Sequence, residues 1–172
     1  MANILRLAPL DIATCLRDVG ASLVSSRPPA AGVDVTYCLD STCSVRPDQV
    51  APLVRMAWEL IANALSHAHP ARVRGRLAIV CRPGPRGEVV IEVADDGVGL
   101  PEGFDAANDG GAGLRRVRTL GQRLGATLSF HSTGLGLTAR IVVPTGRAAR
   151  TANFNRQRNE DGRWRRQHEE SL

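Results

Sequence analysis

Three short stretches carry residue types that could do chemistry together. The first is Glu59, Asn63 and His67 in the run WELIANALSHA, spaced four residues apart. Side chains at that step stack along one face of a helix. A carboxylate, an amide and an imidazole would thus share a stripe, with Arg55 and Ser66 on the same polar side. Most such stripes are solvated helix faces. An Asn in mid-helix is nevertheless disfavoured against its neighbours, which hints at something for it to hold. The second stretch is Asp95-Asp96-Gly97-Val98-Gly99, straight after an apolar run. Glycines there let backbone approach a ligand closely, and an acid at a strand end can accept a hydrogen bond from an exocyclic amine. Alone, it reads as an ordinary acidic turn. The third is Gly110-Gly111-Ala112-Gly113-Leu114 ahead of RRVRTLGQRLG. A glycine loop opening a helix offers free N–H groups and a positive dipole end to an anion. Arg115, Arg116 and Arg118 oppose that dipole, so their placement fits an anion nearby better than it fits helix stability.

Composition removes other chemistries. All 22 basic residues are Arg and none is Lys. A Walker A lysine, a Schiff base and a kinase-type strand lysine are excluded. Aromatic residues are 3% of the chain, too few for a platform that stacks nucleic-acid bases. The net charge of +5 is uneven: residues 147–172 hold seven Arg against four acids, and the first 146 hold fifteen against thirteen. The nearly neutral body gives no sign of a nucleic-acid face. No apolar run reaches the roughly 20 residues that span a bilayer, and MANILRLAPLD lacks a secretory pattern. The expected location is the cytoplasm. Cys15, Cys38, Cys43 and Cys81 form no CxxC pair; Cys38 and Cys43 could share a strand and turn, but free thiols are expected.

The elements that must position these stretches follow from periodicity. Leu10, Ala13, Leu16, Val19 and Leu23 predict a helix over 9–26, ended by RPPAAG at 27–32. VDVTYCL at 33–39 alternates like a strand. Pro47 and Asp48 open a helix that runs to about Ala68, before Pro70. Its apolar arc is Leu53, Ala57, Leu60, Ile61, Ala64 and Ala68. RLAIVCR and EVVIEVAD read as a hairpin through PGPRG. A glycine-rich loop fills 96–113, a third helix covers 114–124, and ATLSFHS and LTARIVV form a second hairpin. The length suits one domain. Residues 1–146 form the globular part, and 147–172 read as a basic, disordered tail. Strands arriving in pairs predict an α+β sandwich: a mixed, largely antiparallel sheet with about three helices on one face.

The three stretches in this order resemble the GHKL ATPase superfamily. ELIANALSHA is similar to its N box, DDGVGL to its first glycine box, GAGLRRVRTLGQRLGATLSF to its second, and GLGLTARIVVP to its closing segment. The resemblance covers residues 9–145 and is strongest to the ATP-binding catalytic domain of bacterial sensor histidine kinases. It implies a Bergerat-type ATP-binding fold with ATP and Mg²⁺ as cofactors. Asn63 would ligate Mg²⁺, and Glu59 would be catalytic, polarising the attacking group. Asp95 would accept from the adenine amino group. Gly97 and Gly99 would let backbone pass under the nucleotide. Residues 100–112 would be the lid, with Gly111 and Gly113 at the phosphates and Leu114 beside them. Thr138 would support a water network near adenine. Many histidine kinases carry a Lys where this chain has Ser66; Arg115, Arg116 or His67 would replace its charge.

The implied partners are a phosphoacceptor-histidine protein or domain and a downstream response regulator, with oligomerisation possible. His67, His69, His131 and His168 do not lie in a phosphoacceptor hairpin, so the acceptor is expected on a separate chain or missing segment. His69 and His131 read as ordinary histidines. Two other readings share the fold: a serine kinase of the anti-sigma-factor type, and an adaptor without nucleotide. The intact Glu59, Asn63, Asp95, Gly97 and Gly99 argue against the adaptor.

Overall fold

The computed structural model describes residues 11–26, 32–69 and 74–146. Leu10, residues 27–31 of the RPPAAG break, Pro70, and the 147–172 tail with His168 lie outside the described residues. Helix α1 (Ile12–Ser25) starts later than position 9 because Asp11 caps it. The Asp11 carboxylate accepts the Ala13 N–H at 3.0 Å and the Thr14 hydroxyl at 2.9 Å, satisfying donors with no intrahelical partner. Strand β1 (Val33–Leu39) alternates half-buried and exposed residues. Helix α2 (Pro47–His67) opens on a proline, which needs no N–H partner there. Gln49, fully buried, locks that opening: it accepts from the Arg46 N–H at 3.0 Å and donates to the Pro144 carbonyl at 2.8 Å.

Strands β2 (Gly75–Pro83) and β3 (Glu88–Asp95) pair as a hairpin. Helix α3 (Ala112–Leu124) begins before the expected position 114, because Gly111 already serves as its extended N-cap. Gly125, left-handed at φ 62°, ends it, and the Ala126 N–H returns to the Gly121 carbonyl at 2.9 Å. That closure delays β4 (Thr127–Thr133) by one residue; β5 (Gly136–Pro144) follows. The sheet order is β1-β2-β3-β5-β4, parallel only between β1 and β2.

Leu77, Ile79, Ile91, Val93, Ile141 and Val143 face the helices across one core. They meet Ile12 and Leu16 of α1, Leu53, Met56 and Ile61 of α2, and Val117 of α3. Among the described residues the fold is thus a mixed, open five-stranded sheet with three helices. Burial raises the thiol pKa of both Cys43 and Cys81, so they remain protonated core residues. All four cysteines are free. Among the described residues no helix is long and apolar enough to cross a membrane. The packing of α2 against both α3 and β3 brings the polar stripe of α2 beside the end of β3 and the start of α3.

Candidate functional site

A cavity of about 390 Å³ opens where those ends meet, within the roughly 300–1,000 Å³ usual for small-molecule sites. Helix α2 contributes Leu60, Asn63, Ala64 and His67, and β3 contributes Val93 and Asp95. Phe130, Leu137 and Ala139 come from the β4–β5 hairpin. The connecting loop supplies Val98, Gly99, Leu100 and Phe104, and the opening of α3 supplies Gly111, Gly113 and Leu114. Mostly apolar walls therefore enclose a few polar groups, the arrangement that fixes a ligand's orientation.

Asp95 ends β3 with one oxygen committed. Its Oδ1 accepts the Gly97 N–H at 3.0 Å, while Oδ2 has no partner among the described residues. Asn63 is half-buried, and its amide likewise has no partner there. Glu59 departs from the expectation of a polar stripe facing solvent: its side chain is only 7% exposed. Arg55 donates to its Oε1 at 2.7 Å, and Arg116 bonds the same oxygen. A buried carboxylate needs such compensation, and α2 and α3 supply it together. Arg55 also lies 4.6 Å from the Trp58 ring centroid, which holds its guanidinium in place. Glu59 is not a wall residue of the cavity; it sits beneath Gly113. A Cβ at Gly113 would stand 2.9 Å from Glu59 Oε2 and 3.7 Å from Asn63 Oδ1. The first turn of α3 therefore rests directly on both N-box side chains.

Other expected residues fall differently. Gly97 does not line the cavity. A Cβ there would lie 2.2 Å from the Ala68 carbonyl oxygen and 2.5 Å from the Ala68 Cα, so its glycine is required by close packing on the end of α2. The Val98 N–H completes that junction, donating to the Ala68 carbonyl at 2.9 Å. Gly99 does line the cavity, left-handed at φ 73° and against Ser132. Thr138 points away: side chains alternate along a strand, and its neighbours Leu137 and Ala139 are the ones at the cavity. Arg115 is exposed and braces the loop, donating to the Gly110 carbonyl at 3.2 Å. Ser66 returns its hydroxyl to the Ala62 carbonyl at 2.7 Å. Of Arg115, Arg116 and His67, only His67 reaches the cavity wall.

The loop over the cavity is internally built. Asp105 accepts from the Ala107 N–H at 2.8 Å and from the Asn108 amide, which hold its carboxyl below the usual range. Arg118 of α3 donates to the Ala106 and Asp109 carbonyls at 3.0 and 2.7 Å. Its guanidinium, expected beside an anion, instead tethers this loop to α3. The sequence carries no signal for that tie, nor for that of His69, whose Nε2 lies 2.9 Å from Asp96 Oδ1. Their partners are separated from them by 9 to 27 residues, and no periodicity signals such a contact.

The packing of Gly97 yields a paired test. Gly97→Ala forces a methyl into backbone atoms and should cost about 1–3 kcal/mol of stability. Gly111→Ala meets nothing within 4 Å at a negative φ and should stay within about 0.5 kcal/mol. Urea denaturation of the two variants checks the difference.

The chain belongs to the histidine kinase-, DNA gyrase B-, and HSP90-like ATPase family, whose model matches residues 48–147. Its relatives there are sensor histidine kinases. Blue-light-activated histidine kinase 2 of Erythrobacter litoralis is 37% identical over 86 residues, 50% of this chain and 25% of that protein. Sensor histidine kinase PdtaS of Mycobacterium tuberculosis is 35% identical over 106 residues, 60% of this chain and 21% of that protein. The chain thus spans a quarter or less of these relatives. The solved histidine kinase domain of the Erythrobacter litoralis EL346 blue-light activated histidine kinase matches with a TM-score of 0.70 at 27% identity. That match covers 80% of this chain and 63% of the other. The catalytic domain of histidine kinase ThkA shares the fold, with a TM-score of 0.64 at 16% identity over 78% of this chain and 92% of its own.

Proposed function

We propose that this domain binds Mg²⁺-ATP in the cytoplasm and delivers the γ-phosphoryl group to a histidine supplied by another chain or by a segment beyond these residues. The observation that carries this reading is the convergence of Asp95, Asn63 and the glycine-opened start of α3 on one cavity. Asp95 Oδ2 is free to accept from an exocyclic amine, which adenine has and guanine lacks at that position. Leu60, Val93, Phe130 and Ala139 give the base an apolar bed. Gly111 and Gly113 leave the N-terminus of α3 open to phosphate oxygens.

The residues present fit Mg²⁺. No group of three or more acidic, histidine or cysteine ligands exists among the described residues, and the unpartnered Asn63 amide offers one oxygen to the cavity. Mg²⁺ commonly takes one or two protein ligands and completes its shell with water and phosphate. When bound, it would neutralise charge on the transferring group. Glu59, beside Asn63 and beneath Gly113, is the residue proposed to orient the attacking atom. His67 adds a donor at the phosphate end.

Phosphoryl transfer needs its acceptor about 3 Å from the γ-phosphorus and in line with the leaving oxygen. His67 shares a rigid helix with Asn63 and Glu59, so it can touch a phosphate without attacking it in line. His69 is bonded to Asp96, and His131 is on the exposed side of β4. A phosphoacceptor-histidine domain, and a response regulator after it, are therefore the proposed partners. Incubating the chain with γ-labelled ATP and Mg²⁺ should give no acid-labile label on the chain itself. A supplied histidine phosphoacceptor domain of a relative should become labelled. Stoichiometric label on His67 or His168 would overturn the proposed division of labour.

A further inference from the structure

We propose that His69 is a positioning residue for base recognition, holding Asp96 so that Asp95 presents its free oxygen to the cavity in one direction. The proposal rests on the nucleotide reading above and adds a residue to it. Helix α2 ends at His67, and the chain turns so that the His69 imidazole lies flat on Gly75. A Cβ at Gly75 would fall 2.1 Å from its Cε1 and 2.5 Å from each ring nitrogen. The side chain is only 14% exposed. From there Nε2 meets Asp96 Oδ1 at 2.9 Å. The same oxygen accepts the Arg76 N–H at 2.7 Å. These bonds, the Arg76 N–H foremost, hold the Asp96 carboxyl below its usual range. Asp96 is therefore ionised at neutral pH and can only accept, so Nε2 carries the hydrogen.

The consequence reaches Asp95 by a short path. Asp96 is pinned between the start of β2 and the end of α2. Gly97, next in the chain, is pressed on Ala68, and the Val98 N–H is bonded to the Ala68 carbonyl. The Gly97 N–H fixes Asp95 Oδ1. On the other side, a Cβ at Gly136 would come within 2.0 Å of the Asp95 carbonyl oxygen, so the Asp95 backbone cannot retreat toward β5. Asp95 is thus held from both flanks, and His69 is the side-chain tie on one of them. Without it, Asp96 keeps only backbone support from Arg76, and the Asp95–Gly97 turn can rotate about the end of β3. The effect should appear in base selectivity more than in phosphate or Mg²⁺ binding, because Asn63 and α3 are not part of this tie.

The test uses the 172-residue chain and titrates ATP and GTP into wild type, His69→Ala, His69→Gln and Asp96→Ala. Gln carries an amide N–H at about the reach of Nε2. His69→Ala should weaken ATP binding by about tenfold while leaving GTP nearly unchanged, so that the preference for ATP shrinks. His69→Gln should restore most of it, and Asp96→Ala, from the other end of the bond, should reproduce the loss. The Asp96 variant also keeps the test open should His69→Ala fail to fold. Wild-type affinity and selectivity in His69→Ala would overturn the assignment. So would a proportional loss for both nucleotides that Gln does not restore, since that is the mark of a role in folding alone. A wild-type chain that binds neither nucleotide overturns the nucleotide reading, and the assignment with it.

Discussion

Glu59→Gln should leave ATP affinity within about threefold and lower phosphoryl transfer to a supplied histidine domain by about 10²–10⁴-fold. The amide keeps the shape and volume of the carboxylate beneath Gly113. It keeps an oxygen that Arg55 and Arg116 can both reach, so α2 and α3 stay joined. What it loses is the negative charge and the ability to draw a proton or orient a nucleophile. Glu59 does not form the cavity wall, so nucleotide contacts are untouched. Asn63→Ala should behave in the opposite sense, removing the Mg²⁺ dependence of binding. Single-turnover transfer, run beside equilibrium titration on each variant, separates the two. Equal loss of affinity in both, with no kinetic difference, contradicts the separate roles.

Much of this arrangement is legible in the residues, and its gaps have physical causes. The apolar arc of α2 and the two hairpins follow from local periodicity, and the glycine boxes mark where backbone comes close. Cap chemistry moved the edges: Asp11 and Gly111 start their helices with side-chain or extended-backbone caps, and Gly125 delays the next strand. Gly97 reads in the sequence as a glycine that lets backbone approach a ligand, and its packing on Ala68 is not legible there because Ala68 lies at the end of a different element. Thr138, expected near the adenine, takes the opposite face of β5 from Leu137 and Ala139, because one residue of register decides which face a side chain takes. Glu59 carried the helical spacing of an exposed stripe. The α3 residues that meet it, Gly113 above it and Arg116 on its Oε1, are 54 and 57 residues away, and nothing local announces that. The ties made by His69 and Arg118 are of the same tertiary kind.

Asp95→Asn should weaken ATP binding by roughly 5- to 150-fold, the equivalent of about 1–3 kcal/mol. In wild type one Asp95 oxygen faces the Gly97 N–H and the other is open to the cavity, where the proposed adenine would meet it. The asparagine amide has one oxygen and one NH₂. If the oxygen stays on Gly97, the NH₂ faces the adenine amino group, donor against donor. If it flips, the NH₂ faces the Gly97 N–H, and the turn over Ala68 is disturbed. Neither rotamer satisfies both partners, so the loss is intrinsic to the site. Calorimetric titration of the variant with ATP measures it, and unchanged affinity would show that Asp95 does not read the base.

We propose above that the cavity between α2, β3 and the α3 start is a Mg²⁺-ATP site. Titrating ATP into the chain with and without Mg²⁺, with GTP as the competitor, decides whether it is. Binding should saturate at one ATP per chain, weaken when Mg²⁺ is removed and be markedly weaker for GTP. Absence of saturable ATP binding, or binding indifferent to both Mg²⁺ and the base, would contradict it.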